Sequence, residues 1–142
     1  MNSELIQLNK TLLSENFTIM VKKGDKVFSS VERGVKPLIH LIDNDLYFFN
    51  NSSVADKVIG KAAALLMVYG RIKEVHTIII SEPAIEVFNS YNIIFHYDKK
   101  VTNIINRNGD DICPMEKLCL NIDDPEIAYY AIKELLKELN SK

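Results

Sequence analysis

Eight residues with reactive or ion-binding side chains are grouped around predicted helix and strand ends. Carboxylates move protons, lysines and arginines bind anions, and a cysteine thiolate attacks electrophilic carbon. The candidate catalytic residues are Cys113, Asp56 and Lys61. The candidate ligand-binding residues are Lys57, Lys61, Ser81, Glu82, Arg107 and Glu116. We expect these side chains to converge on one cleft.

Lys57 and Lys61 are one turn apart at the start of a helix predicted over 54–69. Two like charges on one helix face repel, and Lys57 opposes the helix dipole. One reason for this placement is an anion, such as a phosphate or carboxylate, bound by both ammonium groups and the free N–H groups of the helix start. The alternative is that both lysines are solvated surface residues, paired with Asp56 or Glu82.

Cys113 immediately precedes Pro114, which makes Cys113 the predicted N-cap of a helix over 113–120. Helix dipoles stabilise a thiolate and lower its pKa, so Cys113 is a candidate nucleophile, with Arg107 near enough to assist. Glu116, at the third helical position, is either a ligand-binding residue or part of a capping box. The alternative for Cys113 is a small buried apolar side chain, the role we also predict for Cys119.

Asp56 and Glu82 each have two interpretations. Asp56 forms a capping pair with Ser53, and Glu82 lies at the start of the next predicted helix. Ser81 and Glu82 also follow the carboxyl end of a predicted buried strand, where open α/β sheets bind ligands. All three residues therefore remain candidates for a pocket.

Length and charge restrict the class of protein. The chain has 142 residues, of which 47% are hydrophobic, so we predict a single domain over 1–142. The net charge is −2 with acidic and basic residues interleaved, which argues against nucleic-acid binding. The N-terminus lacks the apolar run of a signal peptide, and no apolar stretch has the length of a membrane span. We therefore expect a cytoplasmic protein without a membrane partner.

Cysteines and histidines are few. The two cysteines do not form a disulfide framework, and the three histidines lie on separate predicted elements without metal-ligand spacing. We therefore predict no metal site and no cofactor.

Hydrophobic periodicity and turn residues predict the order of elements. Helices are expected over 3–14, 35–42, 54–69, 82–91, 101–105, 113–120 and from 124 onwards. Strands are expected over 17–21, 26–31, 75–80 and 93–97, while 46–50 is ambiguous between strand and loop. This order predicts a three-layer α/β/α domain with an N-terminal hairpin and parallel strands in one mixed sheet.

The predicted order resembles the cytidine deaminase fold. In that family the central helix starts with His-x-Glu, and the strand after it runs into a loop that ends in Pro-Cys-x-x-Cys. The histidine of the first motif and the two cysteines of the second hold zinc. Asp56-Lys57-Val58 stands at the first position and the stretch 81–87 at the second, with Ala84 and Val87 in the places of the thiolates. On this alignment zinc-dependent deamination is excluded, because the metal ligands and the proton-shuttling glutamate are missing.

Nearly the whole chain also resembles an uncharacterised family, the domain-of-unknown-function family 1893. The stretches that carry this resemblance are 54–64, 80–84, 105–107 and 113–117. The resemblance implies a deaminase-like fold with a pocket of Asp, Lys and Cys in place of zinc ligands, and it implies no known reaction.

Three functions are consistent with these residues. We favour a domain that binds a small anionic, nucleotide-like ligand without zinc chemistry. The second is a metal-independent enzyme with Cys113 as nucleophile, Asp56 or Glu82 moving protons and Lys61 stabilising negative charge. The third is an interaction or scaffold protein, in which the small-residue face of Gly60 and the alanines at 62–64, or an exposed sheet edge, makes a homodimer.

Overall fold

The computed structural model describes residues 1–140, and the last two residues of the predicted 1–142 domain lie outside the described residues. The helices are α1 (Ser3–Ser14), α2 (Lys36–Asn44), α3 (Leu46–Phe49), α4 (Lys61–Tyr69), α5 (Glu82–Ser90), α6 (Pro114–Cys119) and α7 (Pro125–Asn140). The strands are β1 (Ile19–Lys23), β2 (Lys26–Ser30), β3 (Ser53–Ile59), β4 (Glu74–Ser81) and β5 (Ile94–Val101). None of the helices within 1–140 is long and apolar enough to cross a membrane.

The five strands form one mixed sheet in the order β2-β1-β3-β4-β5. β1 is antiparallel to β2, as the predicted hairpin requires, and also to β3. β3, β4 and β5 are parallel, with α4 and α5 as the crossover helices between them. The α/β class and the mixed sheet with its N-terminal hairpin are confirmed. The carboxyl ends of the parallel strands therefore share one edge, at which side chains of different elements can meet.

Apolar side chains cover both faces of the sheet. On one face, Leu5, Leu8 and Leu12 of α1 pack against Met20 and Ala55. On the other face, α2, α4, α5, α6 and α7 contribute to a larger core. Among the fully buried side chains of that core are Phe49, Leu65, Leu66, Phe88 and Ile132. The apolar run of α4 is buried as predicted, because this helix lies between the sheet and α7.

The prediction of a helix over 54–69 is wrong for its first half. Ser53–Ile59 is the strand β3, and the helix α4 begins only at Lys61, with Gly60 as its N-cap. Ser53 and Asp56 therefore cap no helix. The physical reason is pairing on both sides, since β3 hydrogen-bonds to β1 and to β4, and a central strand gains more from two neighbours than from local capping.

Two shorter stretches also differ from prediction. The segment 101–105 is not a helix, because β5 extends to Val101 and Ile105 then forms an isolated bridge with Ile112. The ambiguous stretch 46–50 folds as the four-residue helix α3, whose Phe48 and Phe49 are buried in the larger core. Both differences arise from tertiary contacts that a local pattern does not contain.

Candidate functional site

A cavity of about 860 Å³ opens beside the carboxyl end of β3 and the first turn of α4. Its apolar walls come from β1, α4, α7 and the segments around 104 and 114. The apolar lining residues are Ile19, Val35, Val58, Ala63, Ile104, Ile105, Pro114, Met115, Leu136 and Leu139. A cavity of this size with mostly apolar walls and a few polar groups has the form of a small-molecule site.

Asp56 contributes a carboxyl group to this cavity. It lies on β3 between Ile19 of β1 and Thr77 of β4. Burial of the carboxyl group raises its pKa to about 7, although hydrogen bonds from the N–H groups of Val58 and Lys57 oppose this rise. Among residues 1–140, no cationic side chain is paired with it. Asp56 can therefore hold or release a proton near neutral pH.

Lys57 and Lys61 do not share a helix face. Lys57 lies on β3 at the cavity, and its ammonium group donates to Asn16 Oδ1 at 2.6 Å. Lys61 is the first residue of α4, and its buried side chain donates to Asp123 Oδ1 at 2.9 Å and to the Leu120 carbonyl at 3.2 Å. The predicted pair of helical ammonium groups is therefore wrong, and Lys61 is not among the residues that line the cavity.

Glu116 occupies the N-terminus of α4. Its buried carboxylate accepts the backbone N–H of Lys61 at 2.5 Å and of Ala62 at 3.3 Å. A Cβ placed on Gly60 would overlap this carboxylate, so only glycine leaves room for it. Burial raises the pKa of Glu116 despite these hydrogen bonds. Glu116 thus lines the cavity and caps α4, so the start of this helix already holds an internal anion.

Cys113 lines the same cavity. It is the N-cap of α6 with Pro114 in the first helical position, as predicted, and it is half-buried. Its backbone N–H donates to the carbonyl of Ile104 at 3.0 Å, which ties the start of α6 to the segment after β5. Cys119 is buried in the core, where burial raises the pKa of its thiol to about 12. The two thiols therefore lie in different environments.

Three cations lie at the exposed rim of the cavity, namely Arg33, Lys36 and Arg107. None of them forms an ion pair with another of the described residues. The sequence prediction included Arg107 and missed Arg33 and Lys36. Arg33 precedes Gly34, and Lys36 follows it by two residues. The φ of +77° at Gly34 turns the chain into α2, and this turn is the local feature that could have identified both cations.

Ser81 and Glu82 lie away from the cavity lining. Ser81 is buried at the end of β4 and caps α5, where its hydroxyl oxygen accepts the Ala84 N–H at 3.3 Å. Glu82 is exposed in the first turn of α5. The structure thus brings together five of the eight predicted residues: Asp56, Lys57, Arg107, Cys113 and Glu116. It does not bring Lys61, Ser81 or Glu82 into the same lining.

The residues at the starts of α4 and α5 do not fit a zinc ion. Gly60, Lys61 and Ala62 begin one helix and Pro83 and Ala84 the other, without a thiolate or an imidazole in either first turn. Within 1–140, no group of three or more His, Cys, Asp or Glu residues is arranged to hold a metal ion.

Comparisons with known proteins agree with this architecture. The sequence profile of the family described as TM1506, domain of unknown function (DUF1893), matches residues 7–136. The crystal structure of a DUF1893 family protein (TM1506) from Thermotoga maritima has a TM-score of 0.85 and 31% sequence identity. That match covers 94% of this chain and 91% of the other. No curated protein matches the sequence. The chain belongs to the DUF1893 family.

Proposed function

We propose that this protein binds a small anionic, nucleotide-like ligand in the cavity beside β3. The observation that carries the proposal is the excess of exposed cations at the cavity: Arg33, Lys36 and Arg107 are exposed in its lining beside one exposed carboxylate, Glu32. The other two lining carboxyl groups are less exposed, since Asp56 is half-buried and Glu116 is buried. Exposed guanidinium and ammonium groups bind phosphate or carboxylate oxygens. The volume of about 860 Å³ and the apolar walls accommodate a ring system behind that anionic group.

The proposed fold family supports the same location. We infer a three-layer, cytidine deaminase-like domain, in which the ligand lies at the carboxyl end of the parallel strands. The present residues replace a metal site there with Gly60 and the Glu116 carboxylate at the start of α4. Recognition of the ligand is therefore assigned to the side chains of this chain alone, without a step through zinc.

Titration calorimetry with adenosine monophosphate (AMP), cytidine monophosphate (CMP) and inorganic phosphate tests the proposal. We expect saturable binding of a nucleotide at one site, weakened by added salt because the rim cations are exposed. Arg107→Gln is expected to lower the affinity about five- to tenfold, the effect of one charge-assisted contact. Arg71→Gln, an exposed arginine outside the cavity, is the matched control and is expected to change nothing. Equal effects of both variants, or no saturable binding, would contradict the proposal.

A second candidate function is metal-independent catalysis, favoured by the presence of Cys113 and Asp56 in one cavity. In such a reaction the Cys113 thiol first loses its proton to solvent, and the thiolate Sγ then forms a bond to an electrophilic carbon of the ligand. The leaving group departs with the electrons of its bond and takes a proton from Asp56. Mass spectrometry of the protein after incubation with a nucleotide distinguishes the two functions, because only catalysis through Cys113 gives a covalent adduct or a changed ligand.

A homodimer built on the small-residue face of α4 is a weaker alternative, since Ala62, Ala63 and Ala64 are buried within the chain itself.

A further inference from the structure

The Asp56 carboxyl group has no side-chain partner. Its hydrogen bonds come from the backbone N–H groups of Val58, at 3.4 Å, and Lys57. The neighbouring ammonium group of Lys57 is directed to Asn16 instead. Asp56 is half-buried in the cavity lining. A partly desolvated carboxyl group without a cation or a side-chain donor is unfavourable, so a ligand that hydrogen-bonds to it gains affinity.

The other charged groups around the cavity do not compensate Asp56. Those that face it from other elements are Glu32, Arg33, Lys36, Arg107, Cys113 and Glu116. The Glu116 carboxylate is bound to the start of α4, and the three cations are exposed at the rim. None of these groups contributes to the shifted pKa of Asp56, which arises from burial. Asp56 is therefore a half-buried carboxyl group of the cavity lining without a compensating charge.

An anionic ligand favours one protonation state of the Asp56 carboxyl group. If the anionic group lies at the rim cations, the rest of the ligand lies in the cavity that Asp56 lines. An ionised Asp56 would then add a second negative charge to a largely apolar cavity, at a desolvation cost. A neutral carboxylic acid avoids this cost and offers one O–H donor beside one acceptor oxygen.

We propose that Asp56, as a neutral acid, determines ligand specificity by binding an edge on which an amino group lies beside an acceptor ring nitrogen. This inference rests on the proposed function and adds the chemistry of the recognised edge. Adenine and amino-substituted pyrimidines both carry such an edge. Binding of the ligand then stabilises the protonated form of Asp56, so the protein takes up a proton when it binds near neutral pH.

The test compares AMP with 1-deazaadenosine 5′-monophosphate, which has the same phosphate and the same amino group and carries C–H in place of the acceptor ring nitrogen. The measured quantity is the ratio of the two affinities by calorimetry at pH 6, 7 and 8, because the common phosphate cancels in this ratio. We expect AMP to bind more tightly at pH 6 and the ratio to fall about tenfold by pH 8, since Asp56 titrates at about 7. CMP in place of AMP tests the same edge on a smaller ring. A ratio that rises with pH, or does not change, would overturn the inference.

Two variants separate hydrogen bonding from charge. Asp56→Asn keeps one donor and one acceptor without titrating, so we expect it to bind AMP within threefold of the unmodified protein at pH 6 and to lose the pH dependence. Asp56→Leu removes both groups and is expected to lower AMP affinity at least tenfold, with a smaller loss for the 1-deaza analogue, which has no ring nitrogen to accept the O–H. Equal losses in the two variants would contradict a neutral acid at this position.

The two proposals fail in different ways. In one outcome both nucleotides bind and Arg107→Gln weakens both, but the ratio of their affinities does not change with pH. The proposed anionic site is then supported and the inference about Asp56 fails. If no nucleotide binds saturably, the proposed function itself fails. Thermal unfolding of each variant confirms that the comparison is made on folded protein.

Discussion

The Glu116 carboxylate accepts the backbone N–H of Lys61 at 2.5 Å and so ties the start of α6 to the start of α4. Glu116 and Lys61 are 55 positions apart in the chain. Glu116 and Gly60, the residue before Lys61, both line the cavity. A buried carboxylate at a helix N-terminus satisfies N–H groups that would otherwise lack partners and interacts favourably with the helix dipole. The contact therefore both stabilises the fold and fixes the position of Cys113, three residues before Glu116.

Replacing Glu116 tests this contact. Glu116→Gln retains the shape of the side chain but loses its charge and one acceptor oxygen, so we expect the free energy of unfolding to fall by about 1–2 kcal/mol. Chemical denaturation measures the change. Glu86→Gln, on the exposed side of α5, is the matched control and is expected to change stability by less than about 0.5 kcal/mol. A Glu116→Gln variant as stable as this control would show that the buried contact contributes little.

The effect of a substitution at Gly60 on stability is predicted to depend on Glu116. Gly60→Ala places a Cβ where the carboxylate lies, so the side chain of Glu116 must move and the cap is lost. We expect a destabilisation of about 1–3 kcal/mol in the unmodified background, in the range for the loss of a buried hydrogen-bonded group. In a Glu116→Ala background the same change should cost only about 0.5–1 kcal/mol, the penalty of alanine against glycine at an N-cap, since the overlapping group is absent. Additive effects of the two substitutions would contradict the overlap.

The raised pKa of Asp56 predicts how the free energy of unfolding changes with pH. Its pKa rises from 3.8 in the unfolded chain to about 7 in the folded protein, so the folded state binds more protons between these values. Stability should therefore decrease as pH rises from about 4 to about 7 and show no further contribution from Asp56 above that. Asp56→Asn removes this contribution and is expected to be more stable than the unmodified protein at pH 8. The difference between the two denaturation curves isolates Asp56, because Glu116 is present in both; a difference that did not vary with pH would disprove the shift.

Lys61 is expected to stabilise the fold rather than to bind the ligand. Its ammonium group is held by Asp123 and the Leu120 carbonyl, and it is not part of the cavity lining. Lys61→Met should therefore leave nucleotide affinity within twofold while lowering stability, because the Leu120 carbonyl loses a donor. Calorimetry beside the Arg107→Gln variant checks this expectation. A loss of affinity comparable to that of Arg107→Gln would restore Lys61 as a ligand-binding residue.

Local patterns predicted those elements whose ends are encoded by neighbouring residues. Helix α1 has its apolar side chains at helical spacing, and the turn at Gly24 specifies the first hairpin. Cys113 was placed correctly as an N-cap because Pro114 fits the first helical position. In these cases the determining contacts lie within a few residues, so a sequence pattern contains them.

Strand β3 shows what a local pattern cannot contain. Ser53 and Asp56 have the spacing of a capping pair, but pairing with β1 and β4 makes this stretch the centre of the sheet. The β-branched residues Val54, Val58 and Ile59, followed by Gly60, were evidence for a strand with a break after it. Once β3 is a strand, Asp56 points into the cavity and Lys61 starts the helix, so the same error displaced the predicted lysine pair.

The cavity combines residues that are distant in sequence, which explains why part of it was missed. Arg33 and Lys36 precede α2, whereas Arg107 follows β5, and only the fold places them at one rim. The partner of Glu116 was also unpredictable, because its three-residue spacing from Cys113 suggested a cap of α6 while its carboxylate caps α4. Neither relationship has a signature within one element.

The most direct test of the proposed ligand cavity is the rate of Cys113 alkylation by iodoacetamide, with and without a nucleotide. Mass spectrometry resolves Cys113, which lines the cavity, from Cys119, which is buried and serves as an internal control. We predict that Cys113 reacts, that AMP slows this reaction at concentrations that saturate binding, and that Cys119 stays unmodified in the folded protein. Cys113→Ser should abolish the labelling. An alkylation rate at Cys113 that does not change when nucleotide binds would contradict a ligand in this cavity.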